Sequence, residues 1–102
     1  MTPSRVEFHV LLTLLKGPRH GYRIMQDIKA DTEGEMKLGP GTLYSVLKRF
    51  LNSGLVEECD ADSDRRRCYR LTRSGKSVVT EEAHRVRALM RLVRQRGLLR
   101  HA

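Results

Sequence analysis

Apolar residues recur at helical spacing in several stretches of this chain, and the spacing predicts a mainly helical protein. The first helix is expected over residues 3–15, started by Thr2-Pro3 and ended by Gly17-Pro18. A second is expected from about Gly21 to Asp31, and a third from Pro40 to about Asn52. The residues expected to face the core from these helices are Val6, Val10, Leu11, Leu14, Leu15, Tyr22, Ile24, Met25, Ile28, Leu43, Val46, Leu47 and Phe50.

The middle of the chain contains two short strand patterns separated by a polar turn. Residues 55–59 and 67–71 favour strands, and residues 60–66 favour a charged turn, so together they predict a β-hairpin. Residues 35–38 are expected to form a loop or one brief strand. Thr72 can cap a last helix that runs to about Arg96 and spans about 36 Å at about 1.5 Å per residue.

Three helices, a hairpin and a long helix, in this order, are typical of a winged helix-turn-helix. We therefore predict a mainly α fold with a small β-hairpin, in which residues 1–72 form the winged helix-turn-helix domain. Residues 73–102 are expected to form a long C-terminal dimerisation helix. In this fold the third helix enters the major groove of DNA, and the hairpin is the wing beside it.

The charge of the chain is concentrated in its second part. The formal net charge is +8, but residues 1–62 carry eight Lys and Arg against nine Asp and Glu, whereas residues 63–102 carry twelve against three. Such asymmetry favours a polyanionic partner, with nucleic acid ahead of an anionic membrane. A basic domain with no polyanionic partner is the alternative.

Several other classes of protein find no support in the sequence. No run of 18 apolar residues is present and the N-terminus lacks a secretory signal, so we expect a cytoplasmic protein without a membrane span. The His, Cys and carboxylate residues lack metal-ligand spacing, and no nucleophile motif or nucleotide loop occurs. We therefore expect that the protein is not an enzyme and that it binds neither a metal ion nor a cofactor.

Two cysteines lie at the ends of the predicted strands. If Val56 pairs with Leu71 in the hairpin, then Cys59 faces Cys68, and opposed Cα atoms about 4.5 to 5.5 Å apart suit a disulfide. A shift of one residue in the register would put the two side chains on opposite faces. We expect two ordinary thiols, and an oxidation-sensitive wing is the alternative.

The third predicted helix is the main candidate for contact with DNA. Gly39 can occupy its N-cap and Pro40 its first position, so the free N–H groups of the first turn form an anion site suited to a phosphate. The helix contains no acidic residue, and its outer face carries hydroxyl and basic groups that can reach phosphates or bases. The DNA-binding candidates on this helix are Gly41, Thr42, Tyr44, Ser45, Lys48 and Arg49.

A solvated outer face on a packed helix is the alternative interpretation of these residues. Arg49 lies at the margin between the two faces, where it can also pair with an acid of the second helix.

The hairpin tip and the start of the second helix add further candidates for DNA contact. Arg65, Arg66 and Arg67 are consecutive and can reach a minor groove or its phosphates, although neighbouring acids make a self-neutralising turn the alternative. Tyr22 is divided between core packing and phosphate contact, and His20 is expected to cap the second helix.

The last predicted helix carries an apolar seam at coiled-coil spacing. Val79, Ala83, Val86, Met90 and Val93 recur four and three apart, and Leu89 and Leu92 widen this face. The residues assigned to the dimer are Val79, Ala83, Val86, Leu89, Met90 and Val93. The other elements already cover a small core, so a second copy of the chain is the expected partner of this face. Packing on its own domain is the alternative. The arginines of this helix are expected to form a solvated face that adds a general attraction to DNA.

Five segments together resemble the PadR family of bacterial transcriptional regulators, over roughly residues 8–77. In chain order they are Leu14-Leu15 to Gly17-Pro18, His20-Gly21-Tyr22, Gly39-Pro40-Gly41-Thr42-Leu43-Tyr44, Gly54-Leu55-Val56-Glu57, and Arg66-Arg67 to Tyr69-Arg70-Leu71-Thr72 with Gly75. The single short C-terminal helix is similar to that of the smaller members. Ser45 departs from the family, in which many members have a proline at this place.

The resemblance implies a winged helix-turn-helix, a homodimer held mainly by the C-terminal helix, and repression from a palindromic operator, often relieved by a small-molecule effector. Together with the residue patterns, it predicts a sequence-specific regulator that binds double-stranded DNA. The competing hypothesis is a protein-interaction module, in which the winged-helix surface or the long helix binds another protein and affinity for DNA is incidental.

Overall fold

Four helices and three short strands follow one another along the chain. The computed structural model describes residues 1–59 and 67–99. The elements are α1 (Arg5–Leu14), β1 (Arg19–His20), α2 (Gly21–Asp31), α3 (Pro40–Asn52), β2 (Val56–Cys59), β3 (Cys68–Leu71) and α4 (Arg73–Gln95). The predicted mainly helical fold, with a pair of strands between the third and last helices, is confirmed. Residues 35–38 form a loop.

The first helix begins two residues later than predicted because Ser4, not Thr2, caps it. The Ser4 hydroxyl accepts a hydrogen bond from the Glu7 N–H at 3.1 Å, and the Glu7 carboxylate accepts one from the Ser4 N–H at 2.8 Å. This reciprocal capping box satisfies two backbone donors that the first turn would otherwise leave free. It also holds the Glu7 side chain in a buried position at the edge of the core.

The helices bury apolar residues that lie three and four positions apart. The buried core is formed by Val10, Leu11, Leu14, Ile24, Ile28, Leu43, Val46, Leu47, Phe50, Leu55, Val56, Tyr69, Leu71 and Val79. Two residues predicted to face inward are exposed instead, Leu15 at 49% and Tyr22 at 65%. Leu15 follows the last residue of α1, and Tyr22 lies two positions, or about 200° around the helix, from buried Ile24.

The wing belongs to a three-stranded antiparallel sheet in the order β1-β3-β2, with β3 in the centre. The hairpin has the register that was considered as a condition for a disulfide: Val56 pairs with Leu71 and Cys59 with Cys68. The sequence does not predict β1, because a strand of two residues has no measurable periodicity. β1 pairs with β3 on the side opposite β2, so it attaches the segment before α2 to the wing.

The two cysteines of the wing are joined. Cys59 and Cys68 form a disulfide, with their Cα atoms 5.1 Å apart. The expectation of two free thiols is therefore wrong, and the alternative of a bonded pair holds. Because side chains alternate between the two faces of a strand, the pair lies on the same face as Glu57 and Arg70, away from the core.

The long helix α4 is attached to the domain mainly through its first two turns. Thr72 caps it, accepting a hydrogen bond from the Gly75 N–H at 3.1 Å and donating one to the Gly54 carbonyl at 2.6 Å. Gly75 packs so closely that a Cβ atom on it would overlap the Leu55 carbonyl oxygen. The fully buried residues of α4 end at Val79, and the helix continues along a molecule whose longest dimension is 52 Å.

Gly75→Ala is expected to lower the free energy of unfolding by about 1 to 3 kcal/mol, the usual cost of overpacking a close contact. The added methyl group meets the Leu55 backbone, which cannot move without disturbing the start of β2. The measurement is chemical denaturation of both the variant and the unmodified chain.

The matched control is Ser77→Ala, an exposed position on the same helix, which should change stability by less than about 0.5 kcal/mol. Because alanine is the better helix former, a Gly75→Ala chain that matches or exceeds the stability of the control would contradict the close packing.

Candidate nucleic-acid interface

The start of α3 offers backbone donors to an anion. Gly39 occupies the N-cap in an extended conformation, with φ −82° and ψ 165°. Because glycine has no side chain, this residue cannot cap the first N–H groups of the helix. Pro40 is the first residue of the helix, as predicted. The N–H groups of Gly41 and Thr42 belong to the first turn and have no partner within the helix. They point outwards at the positive end of the helix dipole, where a phosphate is favoured.

The outer face of α3 is polar and exposed along its length. Leu43, Val46, Leu47 and Phe50 are buried on the inner face, as the spacing predicts. No acidic residue lies between Pro40 and Asn52. The exposed residues of α3, which include every candidate assigned to this helix from sequence, are Pro40, Gly41, Thr42, Tyr44, Ser45, Lys48, Arg49 and Asn52.

Arg49 pairs with α1 rather than with an acid of α2. Its Nη1 lies 2.9 Å from Oε2 of Glu7, whose side chain is only 6% exposed. Among the described residues Oε2 accepts no hydrogen bond of good angle, so the contact is an ion pair held by charge. The alternative partner proposed from sequence was on the wrong helix. Arg49 therefore fixes α3 against the capped start of α1, while most of its guanidinium faces solvent.

Tyr44 reaches from α3 to the start of α2. A Cβ atom on Gly21 would lie 2.6 Å from the Tyr44 hydroxyl oxygen and 3.0 Å from Cζ, so the ring rests directly on the glycine backbone. The Tyr44 side chain is still 46% exposed. The sequence predicted only a DNA contact for Tyr44, to a phosphate or a sugar, and did not predict this packing. The available signal was a glycine at the first position of α2, where it is a poor helix former.

Tyr69, on the central strand β3, lies between the wing and α3. Its side chain is buried in the sheet, and burial raises the pKa of its hydroxyl above the ordinary value of 10.0. The neighbouring Tyr44 and Glu58 raise that pKa further, whereas Arg67 lowers it. The hydroxyl therefore stays protonated at neutral pH. Tyr69 lies next to both α3 and the wing arginine without carrying a charge of its own.

The wing presents Arg67 to solvent and ties its backbone to β1. The Arg67 Nη1 atom lies 3.7 Å from Glu58 Oε1, a loose pair between two exposed side chains. The Arg67 carbonyl lies 3.3 Å from Nδ1 of His20. His20 occupies the N-cap of α2, but its side chain makes no cap hydrogen bond, so the predicted capping role is wrong. Arg65 and Arg66 lie outside the described residues.

The start of α2 exposes Tyr22 and carries two arginines that share one carboxylate. Tyr22 does not pack in the core, which removes one of the two roles predicted for it. Asp27 lies 2.9 Å from Arg19 and 3.0 Å from Arg23, so its one negative charge offsets half of the positive charge of the two guanidinium groups. The Arg19 contact also fastens β1 to α2.

The seam of α4 divides into a buried and an exposed part. Val79 packs in the core of its own domain, so it is not free for a partner. Val86 and Leu89 are 44% and 61% exposed. Ala83 is exposed, and Met90 and Val93 are half-buried. An apolar stripe from residue 83 onwards is therefore left at the surface of this chain.

Neither a metal-binding cluster nor a membrane-spanning helix is found in the described part of the chain. Within residues 1–59 and 67–99, no group of three or more His, Cys, Asp and Glu residues is arranged to hold a metal ion. None of the helices described there combines the length and apolar character needed to cross a membrane.

A protein-family model and two proteins of known sequence match this chain. Residues 10–81 match the model of the "Transcriptional regulator PadR-like family". Transcriptional regulator Rv3488 of Mycobacterium tuberculosis is 33% identical over 94 residues, which cover 90% of this chain and 82% of that protein. An uncharacterised 37.1 kDa protein in transposon Tn4556 of Streptomyces fradiae is 36% identical over 84 residues, or 82% of this chain. The chain spans only 24% of the length of that relative.

Solved structures share the fold. A transcriptional regulator from Clostridium thermocellum superposes with a TM-score of 0.79 at 23% identity, covering 88% of this chain and 87% of that one. Bacillus subtilis PadR, solved in complex with operator DNA, gives a TM-score of 0.65 at 24% identity, covering 78% and 47% of the two chains. The family model covers more than half of the chain, and the mycobacterial relative matches most of its length. This chain belongs to the PadR-like family of transcriptional regulators.

Proposed function

We propose that this chain is a homodimeric regulator that binds a palindromic operator in the cytoplasm and represses transcription from it. The observation that carries the proposal is the outer face of α3, which is exposed, free of acids and begins with unpaired backbone N–H groups. Such helix starts bind phosphates, and hydroxyl and lysine groups reach phosphates and base edges. Bacillus subtilis PadR, which shares the fold, was solved with operator DNA, and this supports DNA as the partner.

The residues of α3 divide into those that position the helix and those that read DNA. Thr42, Ser45 and Lys48 face solvent, and we assign base-edge and phosphate contacts to them. Gly41 allows the backbone to approach a phosphate closely. Arg49 shares its charge with Glu7, so its contribution to DNA binding is the smaller one.

Contacts outside α3 fix the register of the protein on the duplex. The exposed position of Tyr22 at the positive end of α2 supports a phosphate contact. Arg67 extends from the wing, and together with Arg65 and Arg66 it is assigned to the adjacent minor groove or its phosphates.

The apolar stripe of α4 supports a second copy of the chain as the partner. A two-fold dimer would bury Val86 and its neighbours against the same residues of the other copy. It would also place the two α3 helices in successive major grooves, about 34 Å apart. The palindromic form of the operator follows from this symmetry.

A protein-interaction module remains the second candidate function. The same stripe of α4 would suit another protein, and the positive charge of the chain would then give DNA affinity without preference for any sequence. The two candidates differ in one measurable quantity, the ratio of affinities for a selected and a scrambled duplex.

Lys48→Ala tests the reading of DNA by α3, on a duplex selected by the full chain from a random-sequence library. The variant should bind that duplex about fivefold or more weakly and lower the slope of log affinity against log salt by about 1, because one phosphate-neutralising charge is lost. The measurement is a titration of the labelled duplex at several salt concentrations.

The matched control is Lys76→Ala, which removes the same charge from the exposed side of α4 and should leave the slope nearly unchanged. The selected duplex should also bind about 10³-fold or more tightly than its scrambled counterpart. Equal affinities for the two duplexes would overturn DNA readout in favour of the protein-interaction module.

Gly21→Ala tests whether Tyr44 is positioned by its packing on α2. The new methyl group would displace the Tyr44 ring, and we expect affinity for the selected duplex to fall about tenfold. In a Tyr44→Phe background the loss should be smaller, since the hydroxyl oxygen that the methyl group meets is gone. A double-mutant cycle measures this coupling. Costs that simply add would contradict a direct contact between the two residues.

Val86→Glu tests the dimer. The full chain should sediment at twice its mass of 11.8 kDa, and the variant should sediment as a monomer because it places charges against each other in the seam. Ala88→Glu lies about 180° from the seam on the same helix and should remain dimeric. A dimer that tolerates Val86→Glu would contradict the assigned interface.

A further inference from the structure

We propose that Cys59 and Cys68 form a reversible redox site, whose oxidation cross-links the wing and strengthens DNA binding. The inference rests on the proposed DNA-binding function. Its first support is geometry: the two residues are directly opposed in the register of β2 and β3, with Cα atoms 5.1 Å apart. This distance allows a disulfide without movement of the backbone.

The pair is accessible to small oxidants and reductants. Both residues are half-buried rather than fully buried, and they lie on the solvent side of the sheet, beside the exposed pair formed by Glu57 and Arg70. The opposite face of the same strands carries buried Tyr69, which belongs to the core. Reagents can therefore reach the sulfur atoms without opening the hydrophobic core.

The fold does not depend on the cross-link. Three further residue pairs join β2 and β3, and the innermost of them, Val56 with Leu71, is buried in the core. The disulfide joins only the residue pair of β2 and β3 that lies nearest the tip of the hairpin. In a compartment that contains DNA, disulfides are rare and most of those that occur are transient or redox-sensing. A disulfide that the core does not need fits that class.

The position of the pair connects it to the candidate DNA contacts. Cys68 follows Arg67 directly and is paired in the sheet with His20, the N-cap of α2. His20 in turn contacts the Arg67 carbonyl at 3.3 Å. The cross-link closes a chain segment with a sequence separation of 9, so it restricts the conformations open to Arg67. Restricting a binding element before it meets its ligand lowers the entropic cost of binding.

The chemistry needs a hydroperoxide as oxidant and a thiol as reductant. One cysteine thiolate attacks the peroxide oxygen, forming a sulfenic acid and releasing an alcohol or water. The second thiol then attacks the sulfenic sulfur, the S–S bond forms and one water leaves. Two electrons pass from the two thiols to the peroxide. A thiol reductant reverses the step through a mixed disulfide, and its own two thiols become the new disulfide.

The first part of the test is the redox chemistry of the full chain. The chain is equilibrated in glutathione buffers of graded potential, alkylated, and analysed by peptide mass spectrometry. We expect a reversible disulfide between Cys59 and Cys68 within one chain. Thiols that stay free at every potential, or that pair only between chains, would overturn the proposal.

The second part compares affinities for the duplex selected by the reduced chain. The oxidised chain should bind about three- to tenfold more tightly, the size expected from ordering one or two side chains in advance. Dithiothreitol should reverse the gain. The Cys59→Ser/Cys68→Ser variant should match the reduced chain and ignore peroxide.

The outcomes separate the two proposals. If the reduced chain selects no duplex, the proposed function fails. If it selects one and oxidation leaves the affinity unchanged, or the double serine variant still responds to peroxide, only the redox site is overturned.

Discussion

The ion pair between Glu7 and Arg49 connects the start of the first helix to α3, the helix proposed to contact DNA. One carboxylate oxygen of Glu7 accepts the Ser4 N–H and closes the capping box, while the other faces the Arg49 guanidinium at 2.9 Å. A carboxylate with little exposure is costly unless its charge is matched. The same residue that caps the start of α1 therefore also joins it to α3, the helix on which Thr42 and Lys48 are exposed.

The central strand β3 connects the wing to the rest of the domain. It pairs with β2 to form the hairpin and with β1, which leads directly into α2. Contacts of Tyr44 with Gly21 and of His20 with Arg67 then join the three surfaces assigned to DNA, namely α3, the start of α2 and the wing. These contacts are polar or tightly packed and lie at the surface. A small chemical change, such as a bond between Cys59 and Cys68, can therefore alter this surface without altering the core.

Much of the fold could be predicted because local signals specify it. Gly39-Pro40 and the apolar spacing of α3 predict both its bounds and its inner face. The two strand patterns and the polar turn between them predict the hairpin. β1 could not be predicted, since two residues carry no period and the partner strand lies far along the chain. Tyr22 is apolar enough to suggest the core, but it lies about 200° around α2 from buried Ile24 and is exposed.

The candidate site was predictable in its residues but not in its contacts. The exposed face of α3 follows from its sequence, whereas the Glu7–Arg49 and Gly21–Tyr44 contacts join residues on different helices that no local pattern links. The bonding of the cysteines was likewise predicted wrongly, since register alone does not fix the state of two thiols. The Ser4 cap was visible as serine followed three residues later by glutamate, and the proline before it obscured that signal.

Hydroxyl-radical footprinting of the full chain on its selected duplex tests the central claim most directly, because it maps where the two copies of α3 lie. We predict two protected patches, centred one helical turn of about 10 to 10.5 base pairs apart or a whole multiple of it, and related by the two-fold axis of an inverted repeat. A single patch, or protection spread evenly along the duplex, would contradict the paired arrangement of α3 helices.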